Sequence, residues 1–256
     1  GELHYGLFAS PDYLLRRGEP NAPSDLSGHD VLAFAGGILG VLMMVPLRRA
    51  LIGGVFAPAQ VLTIRTLADA LMTSTMPVRE AIGRLITEQA LEALPNRSIR
   101  VPPVTLARID DLLRARVLIE GEAIALAAPN MTPQLLNAAR AIMAEWEALR
   151  LGGNPATVDR EVALNQAFHF QIYRACGSAI LMPMIESLWL QSGPCTRAAI
   201  FAFSEAGEHD SATYHHAILA ALEAGDAEAA RAALISDISR PFTFLRNKIK
   251  AEAAEK

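Results

Sequence analysis

The residues of this chain best suited to chemistry lie in its C-terminal half. Asn165 and His169 stand four apart on a stretch of helical period, so their side chains share one face beside Phe168. His215 falls on a second such stretch and Asp237 on a third. Two imidazoles, a carboxylate and an amide oxygen delivered by three helices could hold a divalent transition metal of the zinc, nickel or manganese class. Lone histidines on helices also serve as ordinary core or surface residues, and His216 competes with His215 for the inward position. The chain contains no HExxH, no glycine-rich phosphate loop, no nucleophile elbow and no second ligand set. One histidine-rich cluster without an evident general base reads as a binding site first. A metal-dependent enzyme built on a helical bundle is the alternative.

The elements that must position these residues are helices. Six are expected, near 106–128, 133–150, 158–176, 179–203, 210–223 and 227–250, opening at Thr105, Thr132-Pro133 and Asp210. Pro129, Gly152-Gly153, Gly177, Gly207 and Gly225 break them, and Gly193-Pro194 is expected to kink the fourth. Each carries an apolar stripe, such as Leu135, Ala139, Ile142, Trp146 and Leu149, which predicts an antiparallel six-helix bundle.

Upstream of a stiff Pro102-Pro103 linker the pattern differs. Leu47–Ile52 continues an apolar face, and GGVFAPAQ is a turn. Ile64, Leu67, Ala68 and Leu71 then mark a short helix; the turn TST follows, and a helix opened by Pro77 buries Val78, Ala81, Ile82 and Leu85. Leu91–Leu94 and Ile99–Val101 bracket the polar tip PNRS as a hairpin. Residues 46–105 hold seven arginines against four acids, although the whole chain is at −4. A basic module joined to an acidic remainder suits phosphate contact by one part only. A purely structural bundle would leave this basic segment unexplained.

Cys176 and Cys195 lie in apolar helical surroundings without metal-type spacing, which suits two buried thiols in a reducing, cytoplasmic compartment. Val31–Leu47 is an uncharged run of seventeen residues, with three glycines and a proline. It falls short of the roughly 20 residues of a membrane span.

TLADALMTSTMPVREAIGRLITEQALEALPNRSIRV resembles the winged helix-turn-helix of the GntR family, through "PVREA" and "PNR" at fixed separation over about fifty-five residues. The resemblance implies DNA contact by Arg65 and Arg79 from the helical unit and by Asn96 and Arg97 from the wing. Thr75, at another position on the DNA-contacting surface, stands where the family often has Arg. Met76 replaces Thr, Gln89 the Gly of "EGL", and Ser98 the wing Gly. For Arg79 the alternative is a salt bridge on the protein's own surface. Residues 106–250 resemble the FCD effector domain in its six-helix, VanR-like form, through "RARVLIEGEAIALAA", "LNQAFHFQIYRACGS" and "HHAILAALEAGDAEAARAAL" in family order. The resemblance implies that Asn165, His169, His215 and Asp237 bind the metal, with Asn in place of the commoner Asp and Asp in place of the last His. The register to "AIL" favours His215 over His216. It also places Arg116 toward the pocket, where a guanidinium could grip an effector carboxylate; the alternative is a surface pair with Glu120.

LFASPDYLLRRGEPNAPSDLSGHDVLAFAG, within residues 1–36, resembles a fragment of a LysR-type effector domain, too short to close that fold. A fusion remnant, a misplaced start or an ordinary extension would each give such a segment, and poor packing is expected for 1–40. The expected organisation is therefore mainly α. An atypical segment (1–40) precedes a winged helix-turn-helix (41–104) of three helices and a hairpin, a helical effector-binding domain (105–250) and a tail (251–256). The implied function is a ligand-responsive, DNA-binding transcription regulator. It would act as a homodimer on operator half-sites about 34 Å or a fraction of that apart, answering to a small organic acid.

Overall fold

The computed structural model describes residues 35–95, 98–151, 158–206 and 212–254. The expectation for residues 1–34 lies outside the described residues, as do the breaks at Gly152-Gly153 and Gly207 and the helix start at Asp210.

The first helix, α1 (Ala35–Ile52), takes in most of the uncharged run and continues through Pro46. It thus begins inside the segment expected to be atypical. Among the described residues no helix is long and apolar enough to cross a membrane. After a turn, β1 (Val61–Leu62) leads into α2 (Ile64–Ala70), whose N-terminus is capped reciprocally by Thr63 and Thr66. Met72, at φ 50°, makes the turn to α3 (Thr75–Thr87). This helix starts two residues earlier than expected. Pro77 is its third residue, still among the first four positions whose N–H groups have no intrahelical acceptor, so the proline costs no hydrogen bond there either. Val78, Ala81, Ile82 and Leu85 are buried as the period required.

The hairpin pairs β2 (Glu92–Ala93) with β3 (Ile99–Arg100), and Leu94 N–H closes onto the Ser98 carbonyl. The sequence reading missed β1, which pairs with the other edge of β3 in the order β1-β3-β2. Two residues are too few to show a period of two, so the strand went unread between the GGVFAPAQ turn and the helix from Ile64. Arg100 and Glu92 sit opposite each other on β3 and β2, with Nη2 to Oε2 at 2.6 Å.

Among the described residues six α-helices follow: α4 (Leu106–Ala127), α5 (Pro133–Leu151), α6 (Val158–Tyr173), α7 (Leu181–Ala206), α8 (Ala212–Glu223) and α9 (Ala227–Ala254). Thr105 caps α4 by accepting from Arg108 N, and Gly177 and Gly225 adopt φ 67° at the ends of helical segments. Helix α4 packs on α7 and α9, α5 on α6, and α8 on α9, around Ile124, Phe168, Ile172, Ile185, Ile218 and Leu234. A second core joins α1, α2, α3 and the small sheet. Leu190 of α7 is fully buried in that second core, so the bundle reaches into the N-terminal unit.

Candidate functional site

On the N-terminal unit, α3 presents Thr75, Arg79 and Gly83 at four-residue spacing, all exposed, and Arg65 is exposed on α2. Arg48 and Arg100 are neutralised by Glu88 and Glu92. Among the described residues, no carboxylate lies within ion-pair range of Arg49, Arg65, Arg79 or Arg84. The salt bridge weighed for Arg79 is thus absent among them, and its charge is available to an outside anion. Asn96 and Arg97, at the hairpin tip, lie outside the described residues.

In the bundle, His169 of α6, His215 of α8 and Asp237 of α9 converge, with one ligand atom from each within 4.8 Å of the others. His169 Nε2 is 3.2 Å from Asp237 Oδ2, and His215 Nε2 is 3.6 Å from Oδ1. Both imidazoles are buried. Trp146 and Phe168 flank the His215 ring at centroid distances of 4.9 and 4.4 Å, and Trp189 stands 5.4 Å from that of His169. Asn165, half-buried, lies one helical turn before His169. His216 points outward instead and pairs with Glu147 at 2.9 Å. Burial pushes the Asp237 carboxyl up, but His215, the His169 hydrogen bond and Arg116 outweigh it and hold the group below its ordinary range.

A second polar layer adjoins this one. Glu120 of α4 is fully buried and accepts from Arg116 Nε at 2.5 Å and Nη2 at 3.1 Å, from the Tyr173 hydroxyl at 2.7 Å and from Trp189 Nε1 at 2.9 Å. Tyr173 Oη lies 3.4 Å from His169 Nδ1, which connects the layers. The Arg116 guanidinium is sandwiched toward Trp189 and Phe242, at 4.7 and 5.7 Å from their ring centroids. Burial lowers the Arg116 pKa, yet the Glu120 carboxylate overrides this and raises it. The Tyr173 phenol is pushed well above its ordinary value by burial first and by Glu120 second. Arg116 is inward-facing and pairs with Glu120 through Nε and Nη2, so the pair is interior and not the surface one weighed as the alternative, while Nη1 lies 3.5 Å from Ser192 Oγ.

These two regions correspond to the segments where known families match. Residues 46–101 match the bacterial regulatory proteins of the gntR family, and residues 111–240 match the FCD domain. The HTH-type transcriptional regulator McbR of Escherichia coli (strain K12) is 33% identical over 192 residues, covering 75% of this chain and 86% of that protein. This chain belongs to the GntR family of transcription regulators and carries an FCD domain. The solved structure of E. coli McbR/YncC superposes with a TM-score of 0.76 at 30% identity, over 82% of this chain and 98% of that one. A GntR transcriptional regulator from Rhodococcus sp. RHA1 shares the fold, with a TM-score of 0.65 at 21% identity, over 80% and 96% of the two chains.

As a GntR-family regulator the protein is a DNA-binding transcription factor, and the enzyme reading falls away because the proteins it matches are regulators. Sequence reasoning had no account of Tyr173 and Trp189, and it treated Glu120 only as a surface partner. The signal was present for one of them: Tyr173 follows His169 by four residues and so shares its helix face. Trp189 carried no such signal, since only the packing of α7 against α4 brings it to Glu120. The family departure at Gln89 also has a physical counterpart. Gln89 sits at φ 57°, in the left-handed region that suits the glycine it replaces.

Proposed function

We propose that this regulator binds operator DNA as a homodimer through residues 41–104. Arg65, Thr75 and Arg79 would face the duplex from the helices, and Asn96 and Arg97 from the hairpin tip. Residues 105–250 then sense a small organic acid with the help of a divalent metal held by Asn165, His169, His215 and Asp237. The observation that carries the sensing part is the convergence of two imidazoles and one carboxylate from three helices, His169, His215 and Asp237, in a buried position. Such a donor set fits a zinc-, nickel- or manganese-class ion, and the single acidic ligand offsets part of its charge. A metal held there would act as a Lewis acid toward an effector carboxylate, and Arg116, whose Nε and Nη2 already bind Glu120, would add its remaining Nη1.

Helix α7 supports a route from sensing to DNA binding. Trp189 and Ser192 touch the Glu120–Arg116 pair. Elsewhere on the same helix, Glu186 reaches Arg48 at 3.6 Å, Leu190 enters the N-terminal core, and Arg197 donates to the Gly53 carbonyl at 3.0 Å. A shift of α7 caused by ligand is therefore felt by α1, against which α3 packs.

Metal content of the purified full-length protein tests the sensing site. His169→Ala with His215→Ala should strip the metal, and equal content in variant and parent would remove the site from consideration. Arg79→Ala should weaken binding to a duplex selected by the parent protein and reduce the salt dependence of binding, with the fold intact. Unchanged affinity would defeat the DNA assignment.

A further inference from the structure

Helix α3 carries one side chain that neither the N-terminal core nor the exposed arginines account for. Met76, its second residue, is 59% exposed. At roughly 100° of turn per residue, the buried positions Pro77, Val78, Ala81, Ile82 and Leu85 take one side of the helix, and Met76 and Gly83 fall nearest the centre of the opposite side. Thr75 and Arg79 lie on one flank of that centre and Glu80 on the other. Gly83 adds no side chain, and a Cβ there would meet nothing within 4 Å. Met76 therefore projects alone from the middle of the outward face. An exposed thioether gains nothing from the chain's own core, and a glycine inside a helix weakens it. Both fit a face that another molecule approaches closely.

We propose that Met76 is a specificity-determining residue that reads the C5-methyl group of a thymine in the major groove of the operator. The inference rests on the assignment of α3 to the duplex made above. In a helix-turn-helix the second helix enters the major groove with its N-terminal residues at the base edges, and Met76 stands in that first turn. Each base shows a distinct edge there: guanine offers two acceptors, adenine an acceptor and a donor, cytosine a donor, and thymine an acceptor and a methyl group. Methionine has no donor and its sulfur is a weak acceptor, so the polar edges offer it little. The thymine methyl is the apolar group among them, and a flexible, unbranched side chain can settle on it. Thr75, next to Met76, stands where the family often has Arg and is too short to grip guanine with two hydrogen bonds. The start of α3 thus selects for a methyl group where an arginine would select for guanine.

The test starts from full-length protein and a pool of random duplexes, from which repeated rounds of binding select a sequence. Each thymine of that sequence is then replaced singly by deoxyuridine, which removes the C5-methyl group and keeps the base pair. Fluorescence anisotropy reads the affinities of the parent and of Met76→Ala. At the contacted thymine, loss of the methyl group should weaken binding by the parent about 4-fold, the worth of one buried methyl, and leave binding by Met76→Ala unchanged. Any effect of uracil on the duplex itself is felt by both proteins and cancels in the comparison. Because Met76 is exposed, Met76→Ala should melt with the parent, which separates a lost methyl response from a folding defect. A selected sequence without thymine, or deoxyuridine substitutions that weaken both proteins alike at every position, overturns the proposal. A parent protein that selects no duplex from the pool would refute the assignment of α3 to DNA and this inference with it.

Discussion

Gly193 lies where α7 crosses the end of α1, and replacing it with alanine tests whether that crossing joins the two halves of the regulator. A Cβ at this position would stand 2.2 Å from the Leu51 carbonyl oxygen, 2.9 Å from Ile52 Cα and 3.0 Å from the Ile52 oxygen. Carbon and carbonyl oxygen rest at roughly 3.3 Å or more, so the added methyl must push α1 and α7 apart by about 1 Å. All three obstacles are backbone atoms, and no rotamer change can relieve them. Overpacking of this kind costs about 1–3 kcal/mol, equivalent to a melting temperature lower by roughly 2–12 °C in a chain of this size. The displacement would loosen Leu190 in the N-terminal core and the Arg48–Glu186 contact with it. DNA affinity, read by fluorescence anisotropy below the melting transition, should then fall as well. Gly83→Ala is the control for the melting temperature only, because a Cβ there meets nothing within 4 Å but stands on the exposed face shared with Arg79. It should raise stability by up to about 1 kcal/mol through helix propensity alone. A Gly193→Ala protein that melts with the parent and binds DNA equally well would show that α1 and α7 are not held in close contact.

Other changes probe the interior. Arg116→Ala leaves the fully buried Glu120 carboxylate without its cation, and calorimetry should show a loss of about 3–5 kcal/mol; a loss under 1 kcal/mol would mean that the pair is solvated. Gln89→Gly removes a left-handed side-chain conformation and keeps the backbone carbonyl that accepts from Arg108, so a thermal melt should show a gain of about 1 kcal/mol. The Cys195 thiol is buried and its pKa is pushed up to about 11 by that burial, so it stays protonated at neutral pH. A thiol reagent should therefore modify half-buried Cys176 in native protein and both cysteines only after denaturation; fast labelling of Cys195 in native protein would contradict its placement.

Much of the architecture was legible because it depends on signals local in sequence. The helices of the bundle begin and end within a few residues of their expected positions, since Thr105, Pro133, Gly177 and Gly225 act on the backbone next to them. The buried face of α3 followed from a 3.6-residue period, and the start of that helix was misplaced only because proline is tolerated anywhere in the first turn. Strand β1 was not legible. It consists of two residues and exists because β3 offers them a free edge, a fact held by Ile99 and Arg100 and not by Val61 and Leu62.

The interior polar cluster divides along the same line. Asn165, His169, His215 and Asp237 stood out as polar residues on otherwise apolar helix faces, a weak signal that the resemblance to the FCD domain turned into one ligand set. The identity of each partner was another matter. Arg116 and Glu120 are four apart on one helix, a spacing that reads equally as a surface pair worth a few tenths of a kcal/mol or as a buried pair whose disruption costs several. What decides between them is Trp189, which arrives from α7, some seventy residues away in the chain, and covers the guanidinium while donating to the carboxylate. A separate contact, of α6 with α4, brings Tyr173 between Glu120 and His169. Arg116 is therefore the counterion of a buried carboxylate, and an anion entering the bundle would meet only the Nη1 side of its guanidinium that Glu120 leaves over.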